Sequence, residues 1–386
     1  MNIDVMRFVD RFVGIPLCWI MGLYSRIAVS SRSGNSTHEV RNILVIKFFG
    51  LGSIVMTTPA LGIMKSVFPE AHITFLSFER NRGLLERYAT IEVVLTIDTS
   101  SGFAFLRDVL RTTRAIVRLR PEITFDLEFF SKFSTLLSAV SRAPVRVAFA
   151  LPTYWRSSIV THQVPLNKNI HVLHSFCEQV FSVTHSRVEI PPVEPPRVLE
   201  EDHASLLSKF PIGGARLILI NVNAGETFLE RRWPQDRFAK LVSMLAHEDD
   251  GVFCFIGGPR ETAYVRGTIG NTECPGRCID TSGQLTIPEL AALMKRSELL
   301  ISNDSGPLHL AASLGTPTIG LYGPESPHFY GLTQDKSDVV YAGISCSPCM
   351  NVYSAKQFRC PYRAQCMRDI SVDDVLQSIR SFVVVK

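Results

Sequence analysis

The chain alternates short apolar runs of strand length with longer amphipathic stretches. Ile43–Lys47 is the first apolar run, and a Gly-Leu-Gly turn separates it from a predicted helix that Ser53 caps and Pro69 stops. The other elements predicted before residue 150 are strands at His72–Phe78, Val93–Ile97 and Thr124–Glu128, and helices at Phe103–Leu119 and Ser134–Ser141. Strands that alternate with helices predict a parallel sheet covered on both faces.

The same plan repeats after the proline-rich connection Ile190–Pro196. Thr286 and Glu289 form a predicted capping box, and Gly315 is a predicted helix stop. The predicted strands are Leu217–Asn221, Val252–Ile256, Leu299–Asn303 and Thr318–Tyr322, and the predicted helices are Gln235–Ala246, Ile287–Lys295 and Leu308–Leu314. We therefore expect an α/β fold of two doubly wound, Rossmann-like domains, residues 39–190 and 191–386, facing a cleft at the carboxyl ends of their strands.

A segment without charged residues, Phe12–Ser25, precedes the first domain. It is too short to span a bilayer, Pro16 interrupts it, and arginines flank it on both sides. Residues 1–38 are therefore interpreted as a membrane-surface helix followed by a linker. The alternative is a helix docked on the protein's own core or at an oligomer interface.

Composition narrows the function classes without naming one. The 386 residues are 46% hydrophobic and 20% charged, which is ordinary for a globular protein. The formal net charge of +4 is small for this length, so a dedicated nucleic-acid binder is not expected.

The strongest motif is Asn303–His309, with the sequence NDSGPLH. A strand ends in Asn-Asp, Ser305 is placed to cap the next helix, and Gly306 lets a ligand approach the backbone. The helix N-terminus suits a diphosphate, and His309 adds a donor one turn later. Asp304 would repel phosphate, so we assign it to a ribose or sugar hydroxyl. The alternative is a well-capped helix with a buried histidine.

Two further turns carry candidate ligand-binding residues. Arg231 and Arg232 lie before Trp233-Pro234, at a helix entrance where guanidinium groups suit phosphate. The alternative is a solvated charge pair. Glu261 follows Gly257-Gly258-Pro259 and is a weaker candidate for binding a ribose.

These motifs, taken together, resemble one known family. The matching stretches are Ile43–Pro69 with TTPAL inside it, Arg232-Trp233-Pro234, Gly257-Gly258-Pro259, ELAAL at Glu289–Leu293, and Asn303–Pro324. From about Arg41 to Asp374 the chain resembles the glycosyltransferase family 9 heptosyltransferases. The resemblance implies an inverting GT-B enzyme that moves heptose from ADP-heptose to lipopolysaccharide, with no cofactor required for the chemistry. It also implies that the second domain binds the nucleotide sugar and the first binds the acceptor.

One position departs from the family pattern. The turn after the first strand usually reads Gly-Asp there, and that aspartate is the expected general base, whereas this chain has Gly52-Ser53. A serine cannot take a proton from an acceptor hydroxyl near neutral pH without a base of its own. We predict Glu128, which shares a strand face with Asp126, as the replacement base. The alternative is that Glu128 pairs with Lys132 or Arg142 and only shapes the acceptor site.

Four cysteines lie close together near the C-terminus, in a C-x2-C-x10-C-x5-C pattern. Four thiolates with one C-x2-C pair suit structural zinc or iron, and the alternative is disulfides or free thiols. The residues are Cys346, Cys349, Cys360 and Cys366.

Two function classes follow from these observations. The first is a cytoplasmic glycosyltransferase, peripheral at the inner face of the membrane, with a nucleotide sugar and a lipopolysaccharide or other envelope glycan as its substrates. The second is a non-catalytic nucleotide-sugar-binding scaffold, because Ser53 replaces the expected base.

Overall fold

The computed structural model describes residues 40–383, except 130, 151–155, 157–158, 185–186, 226–227, 249 and 351–358. The chain divides into two compact units, Met1–Glu194 and Pro195–Lys386. The division falls within the proline-rich connection.

The first unit is built on a parallel sheet with strand order β3-β2-β1-β4-β5-β6. Its strands are β1 Asn42–Ile46, β2 His72–Phe78, β3 Val93–Ile97, β4 Ile123–Asp126, β5 Val145–Phe149 and β6 His162–Val164. Its helices are α1 Leu51–Val55, α2 Thr58–Val67, α3 Arg82–Leu85, α4 Gly102–Leu119, α5 Lys132–Ser141 and α6 Val172–Thr184. The central strand β1 is apolar along its length because helices cover both faces of such a sheet.

The second unit repeats this topology, with strand order β12-β11-β10-β7-β8-β9. Its strands are β7 Leu217–Asn221, β8 Val252–Phe255, β9 Cys278–Asp280, β10 Leu299–Asn303, β11 Thr318–Tyr322 and β12 Ser337–Tyr341. Its helices are α7 Glu200–Lys209, α8 Gln235–Glu248, α9 Thr262–Gly270, α10 Ile287–Arg296, α11 Gly306–Ser313, α12 Pro327–Tyr330, α13 Gln365–Arg368 and α14 Val372–Val383. Successive strands are added first to one side of the sheet and then to the other, and this change of side lies between β1 and β4 in one unit and between β7 and β10 in the other. Ligands of open α/β sheets bind at this point.

The predicted fold class, two doubly wound Rossmann-like domains of the GT-B type, is confirmed. The capping box is also present, because Thr286 accepts a hydrogen bond from the Glu289 amide while the Glu289 carboxylate accepts one from the Thr286 amide. Gly315 has a φ of +77°, as a helix stop of this kind requires. Strands β5, β6, β9 and β12 extend both sheets beyond the prediction.

The helix predicted from Ser53 to Pro69 is wrong in detail, because two helices occupy this stretch. Pro59 has no amide hydrogen to donate to the Val55 carbonyl, so the helical ladder breaks there. The Thr58 hydroxyl donates to that carbonyl instead, at 2.9 Å. Ser53 does not cap a helix, since α1 already begins at Leu51 with Gly50 as its N-cap.

The interpretation of residues 1–38 as a membrane-surface helix and linker lies outside the described residues. Among the helices that the structure does describe, none has the length and apolar character needed to cross a bilayer.

Candidate active site

In the second unit, Asn221 holds two serine hydroxyls at the β7–β10 edge of the sheet. The Asn221 side-chain amide on β7 donates to Ser302 Oγ at 2.9 Å and to Ser305 Oγ at 2.8 Å. Ser305 occupies the N-cap position of α11, but its hydroxyl forms no cap hydrogen bond. The prediction that Ser305 caps this helix is therefore right in position and wrong in mechanism, and Asn221 determines where the hydroxyl lies.

Asp304 and Arg231 form a nearly buried ion pair beside this turn. Arg231 Nη1 lies 3.1 Å from Asp304 Oδ2, and the two side chains are 22% and 6% exposed. Arg231 also donates from Nη2 to the Ala224 carbonyl at 3.1 Å, while its buried Nε has no partner among the described residues. The positive charge of the Arg231 guanidinium offsets the negative charge of the Asp304 carboxylate. Asp304 therefore does not cause this edge of the sheet to repel a phosphate.

Arg232 and Glu261 lie together at the ends of β7 and β8. The Arg232 guanidinium lies 4.3 Å from the centre of the Tyr264 ring and 3.8 Å from Glu261 Oε1. Glu261 Oε2 accepts a hydrogen bond from the Gly258 amide at 2.8 Å. Both oxygens of Glu261 therefore have protein neighbours, and its role as a ribose ligand stays a prediction.

Gly306 and His309 occupy the first turn of α11, as the motif predicts. Gly306 is half-buried, and His309 is 6% exposed. Their roles in substrate binding stay predictions.

In the first unit, Glu128 holds the turn that follows β1. Its Oε1 accepts hydrogen bonds from the amides of Phe48 and Phe49, at 2.7 and 2.9 Å, and from Lys47 Nζ at 3.3 Å. The Lys47 and Glu128 side chains are 2% and 6% exposed. The alternative partners Lys132 and Arg142 are therefore wrong, because Lys47, which follows β1, supplies the positive charge.

Asp126 does not share an open edge with Glu128. Strand β4 ends at Asp126, which is fully buried and binds Arg156 at 3.0 Å and the hydroxyls of Ser134 and Thr135 at 3.0 Å each. The predicted strand ended two residues too late at Glu128. Asp126 serves the framework of the unit, and the contacts of Glu128 favour a positioning role over that of a free base.

Gly52 and Ser53 lie in the first turn of α1, directly beyond the β1 edge. Gly50 before them has a φ of +85°, and a Cβ there would lie 3.1 Å from Ser53 Oγ. A side chain at position 50 would strain the turn on both counts. Ser53 itself is half-buried, and its catalytic role stays a prediction.

Comparisons with known proteins identify the family of the chain. The model of "Glycosyltransferase family 9 (heptosyltransferase)" matches residues 132–357, which is more than half of the chain. The chain belongs to glycosyltransferase family 9. It is similar to lipopolysaccharide heptosyltransferase 3 of Escherichia coli, at 26% identity over 72% of this chain and 82% of the relative.

Two solved structures share the fold. ADP-heptose lipopolysaccharide heptosyltransferase II of E. coli superposes with a TM-score of 0.71, at 18% identity over 89% of this chain and 98% of that one. The iron-containing dodecameric glycosyltransferase TibC of enterotoxigenic E. coli gives a TM-score of 0.55, at 14% identity over 89% and 76%.

No sequence motif marks Glu325 in this family 9 enzyme. The residue directly follows Pro324, where the recognised motif stopped, and it is 7% exposed. The pKa of Glu325 is raised to about 8, mainly by burial and also by the nearby Asp304 charge, while the Ser326 amide and Arg231 oppose the rise. Near neutral pH the Glu325 carboxyl is therefore mostly protonated and is a hydrogen-bond donor beside the Arg231–Asp304 pair.

This shift predicts a pH-dependent stability. The folded-state pKa of Glu325 lies above its ordinary value of 4.5, so the stability that depends on its protonation is complete below pH 4.5 and is lost as pH rises through about 8. Glu325→Gln stays neutral at every pH. We expect the variant to gain a few kcal/mol relative to wild type between about pH 5 and about pH 9, measured by urea unfolding. The exposed control Glu298→Gln should show no such gain, and parallel curves for Glu325→Gln and wild type would contradict the assignment.

The four cysteines of this family 9 enzyme lie next to the end of β11. The amides of Cys349 and Met350 donate to the Pro324 carbonyl at 3.0 and 2.7 Å, and the Ala364 amide donates to Cys360 Sγ at 3.3 Å. Burial raises the pKa of Cys366 to about 11, and the charges of Cys349, Cys360 and Cys346 add to this effect. The thiols are thus close enough to interact. Within the described part of the chain, however, no three histidine, cysteine or acidic side chains are arranged to hold a metal ion.

Proposed function

We propose that this enzyme transfers heptose from ADP-heptose to a hydroxyl of the lipopolysaccharide core, with inversion at the anomeric carbon. The acceptor oxygen bonds to that carbon as the carbon–oxygen bond to the diphosphate breaks. ADP leaves, and the acceptor proton passes to a base or to the departing diphosphate. The E. coli relatives with lipopolysaccharide heptosyltransferase names support the sugar and the acceptor.

The observation that carries the proposal is the Arg231–Asp304 pair at the β7–β10 edge. In the proposed complex Arg231 binds the diphosphate while Asp304 binds a hydroxyl of the ribose or the sugar. Ser305, Gly306 and His309 line the same helix N-terminus, whose amides suit phosphate oxygens. Gly52 and Ser53 contribute to the acceptor site at the other unit's β1–β4 edge.

Thermal unfolding in the presence of nucleotides tests the donor class. ADP should raise the unfolding temperature more than UDP or GDP at equal concentration, because the ligand that binds the folded state more tightly stabilises it more. A larger shift with UDP or GDP would assign another donor.

We also propose that the four-cysteine cluster binds one structural zinc or iron ion. The donor set suits such an ion, and binding would convert the thiols to thiolates and draw them together. The neighbour TibC is named as iron-containing. The chemistry of transfer does not involve this site.

Metal analysis tests this site directly. Protein purified without chelator should contain about one zinc or iron ion per chain, and Cys346→Ser and Cys360→Ser should each lose the ion and unfold at a lower temperature. Cys274→Ser, a half-buried cysteine outside the cluster, is the matched control. A metal-free wild-type protein would reject the site.

We further propose that the enzyme works at the cytoplasmic face of the membrane, where its lipid-linked acceptor is made. The uncharged segment Phe12–Ser25 and its flanking arginines support this location.

A further inference from the structure

Helix α4 in the first unit exposes a stripe of large apolar side chains. Phe103, Leu106, Leu110 and Val117 are 79%, 59%, 49% and 43% exposed. Their spacings of three, four and seven residues place them on one side of the helix. Isolated exposed apolar residues are ordinary, but four in one line form a surface that needs an explanation.

The opposite side of α4 already serves the core of the unit. Ala104, Asp108, Thr112 and Ile116 are buried at spacings of four, and the helix packs on β3 and α5. The apolar stripe therefore lies on the outer side of the helix and contributes nothing to the core. A helix with one face buried in its own domain and a second apolar face outside is suited to a second partner.

Arginines follow one edge of this stripe. Arg107, Arg111, Arg114 and Arg118 are all exposed and lie one or four residues after the apolar positions. The single acidic residue of the helix, Asp108, is buried and binds Arg107 and Arg111 at 2.9 and 3.4 Å. The outer face therefore combines an apolar stripe with a net positive charge.

We propose that the outer face of α4 is a docking surface for a bilayer that contains anionic phospholipid. An apolar stripe beside a row of arginines is the arrangement of helices that lie in a membrane interface. The apolar side chains enter the acyl boundary, and the arginines face the lipid phosphates. The inference rests on the proposed function in one respect: a lipid-linked acceptor requires the acceptor-binding unit to meet the membrane.

Charge argues against two other occupants. A symmetric contact with a second copy would bring the four arginines of each face against one another, which is unfavourable. The uncharged segment Phe12–Ser25 could cover the apolar stripe but has no acidic residue to pair with the arginines.

Vesicle flotation of the full chain tests the proposal. Wild type should float with phosphatidylcholine vesicles that contain phosphatidylglycerol and much less with phosphatidylcholine alone. Leu106→Ser with Leu110→Ser should reduce binding at least tenfold. Arg114→Gln with Arg118→Gln should reduce it about twenty-fivefold for anionic vesicles, at about fivefold per arginine, and leave the weak neutral binding unchanged.

The controls separate this surface from folding and from catalysis. Leu199→Ser with Leu207→Ser replaces two leucines of similar exposure in the second unit and should float like wild type. All variants should keep wild-type unfolding temperatures and transfer rates on a short, soluble acceptor. If wild type does not transfer heptose to the soluble acceptor, the proposed function is rejected, whereas the flotation result still stands. Three results would each overturn the membrane assignment. They are flotation of both α4 variants at the wild-type level, failure of wild type itself to float, and a difference between the variants and wild type in oligomeric state only.

Discussion

We expect Glu128→Gln to lower turnover about a hundredfold and to destabilise the enzyme by about 3 kcal/mol. The substitution leaves the Lys47 ammonium buried and without its counter-charge, while the glutamine oxygen still accepts hydrogen bonds from the Phe48 and Phe49 amides. The unpaired charge displaces the turn that carries Ser53. Steady-state kinetics and urea unfolding measure the two effects.

The double variant Lys47→Met with Glu128→Gln distinguishes a positioning residue from a base. It removes both charges, so no unpaired ion remains and stability should return. We expect turnover to return to within about tenfold of wild type, because no unpaired charge then displaces the turn. If the double variant folds normally and stays about a hundredfold slower, Glu128 is the base that the sequence suggested.

Loss of Arg231 should weaken donor binding more than any other single change in the second unit. Arg231→Met leaves the nearly buried Asp304 carboxylate without its partner and removes a proposed diphosphate ligand. Removing one member of a close charge pair across a binding interface costs at least about 2 kcal/mol, so loss of the proposed Arg231–diphosphate contact should lower ADP-heptose affinity roughly thirtyfold or more. Titration calorimetry with ADP and with ADP-heptose measures the change.

Two further variants serve as controls for this prediction. Arg216→Met breaks an exposed arginine–glutamate pair in the same unit and should leave affinity unchanged, since such pairs contribute little. Arg231→Lys keeps the charge but loses the forked geometry, and an intermediate affinity is expected. Wild-type affinity in folded Arg231→Met would limit this residue to a structural role.

Local sequence signals predicted the fold because they depend on neighbours along the chain. Apolar runs, the Thr286–Glu289 capping box and Gly315 each act within a few residues. The break between α1 and α2 could also be predicted, since Pro59 has no amide hydrogen to donate to the Val55 carbonyl. The Thr58 hydroxyl donates to that carbonyl instead. The pattern of apolar residues alone predicts one continuous helix and does not show this break.

The ion-pair partners of the buried charged side chains could not be predicted from the spacing of residues along the sequence. Lys47 and Glu128 are 81 residues apart, and Arg231 and Asp304 are 73 apart. Their pairing follows from strand order, which places β1 beside β4 and β7 beside β10. The sequence therefore indicated Glu128, Arg231 and Asp304 as candidate residues at the sheet edges, but it did not indicate which charges neutralise one another. It missed Glu325 because burial, rather than a motif, gives that carboxyl its unusual pKa.

The most direct test of this account is multiple-turnover transfer by the wild-type enzyme, which carries serine at position 53. Purified full chain is mixed with ADP-heptose and a lipopolysaccharide acceptor that lacks its outer heptose, and mass spectrometry follows the product. We predict several acceptor molecules per enzyme, each heavier by one heptose, with a matching release of ADP. Binding of ADP-heptose without any product from wild type, together with product from Ser53→Asp, would contradict the account and identify a chain that has lost its base.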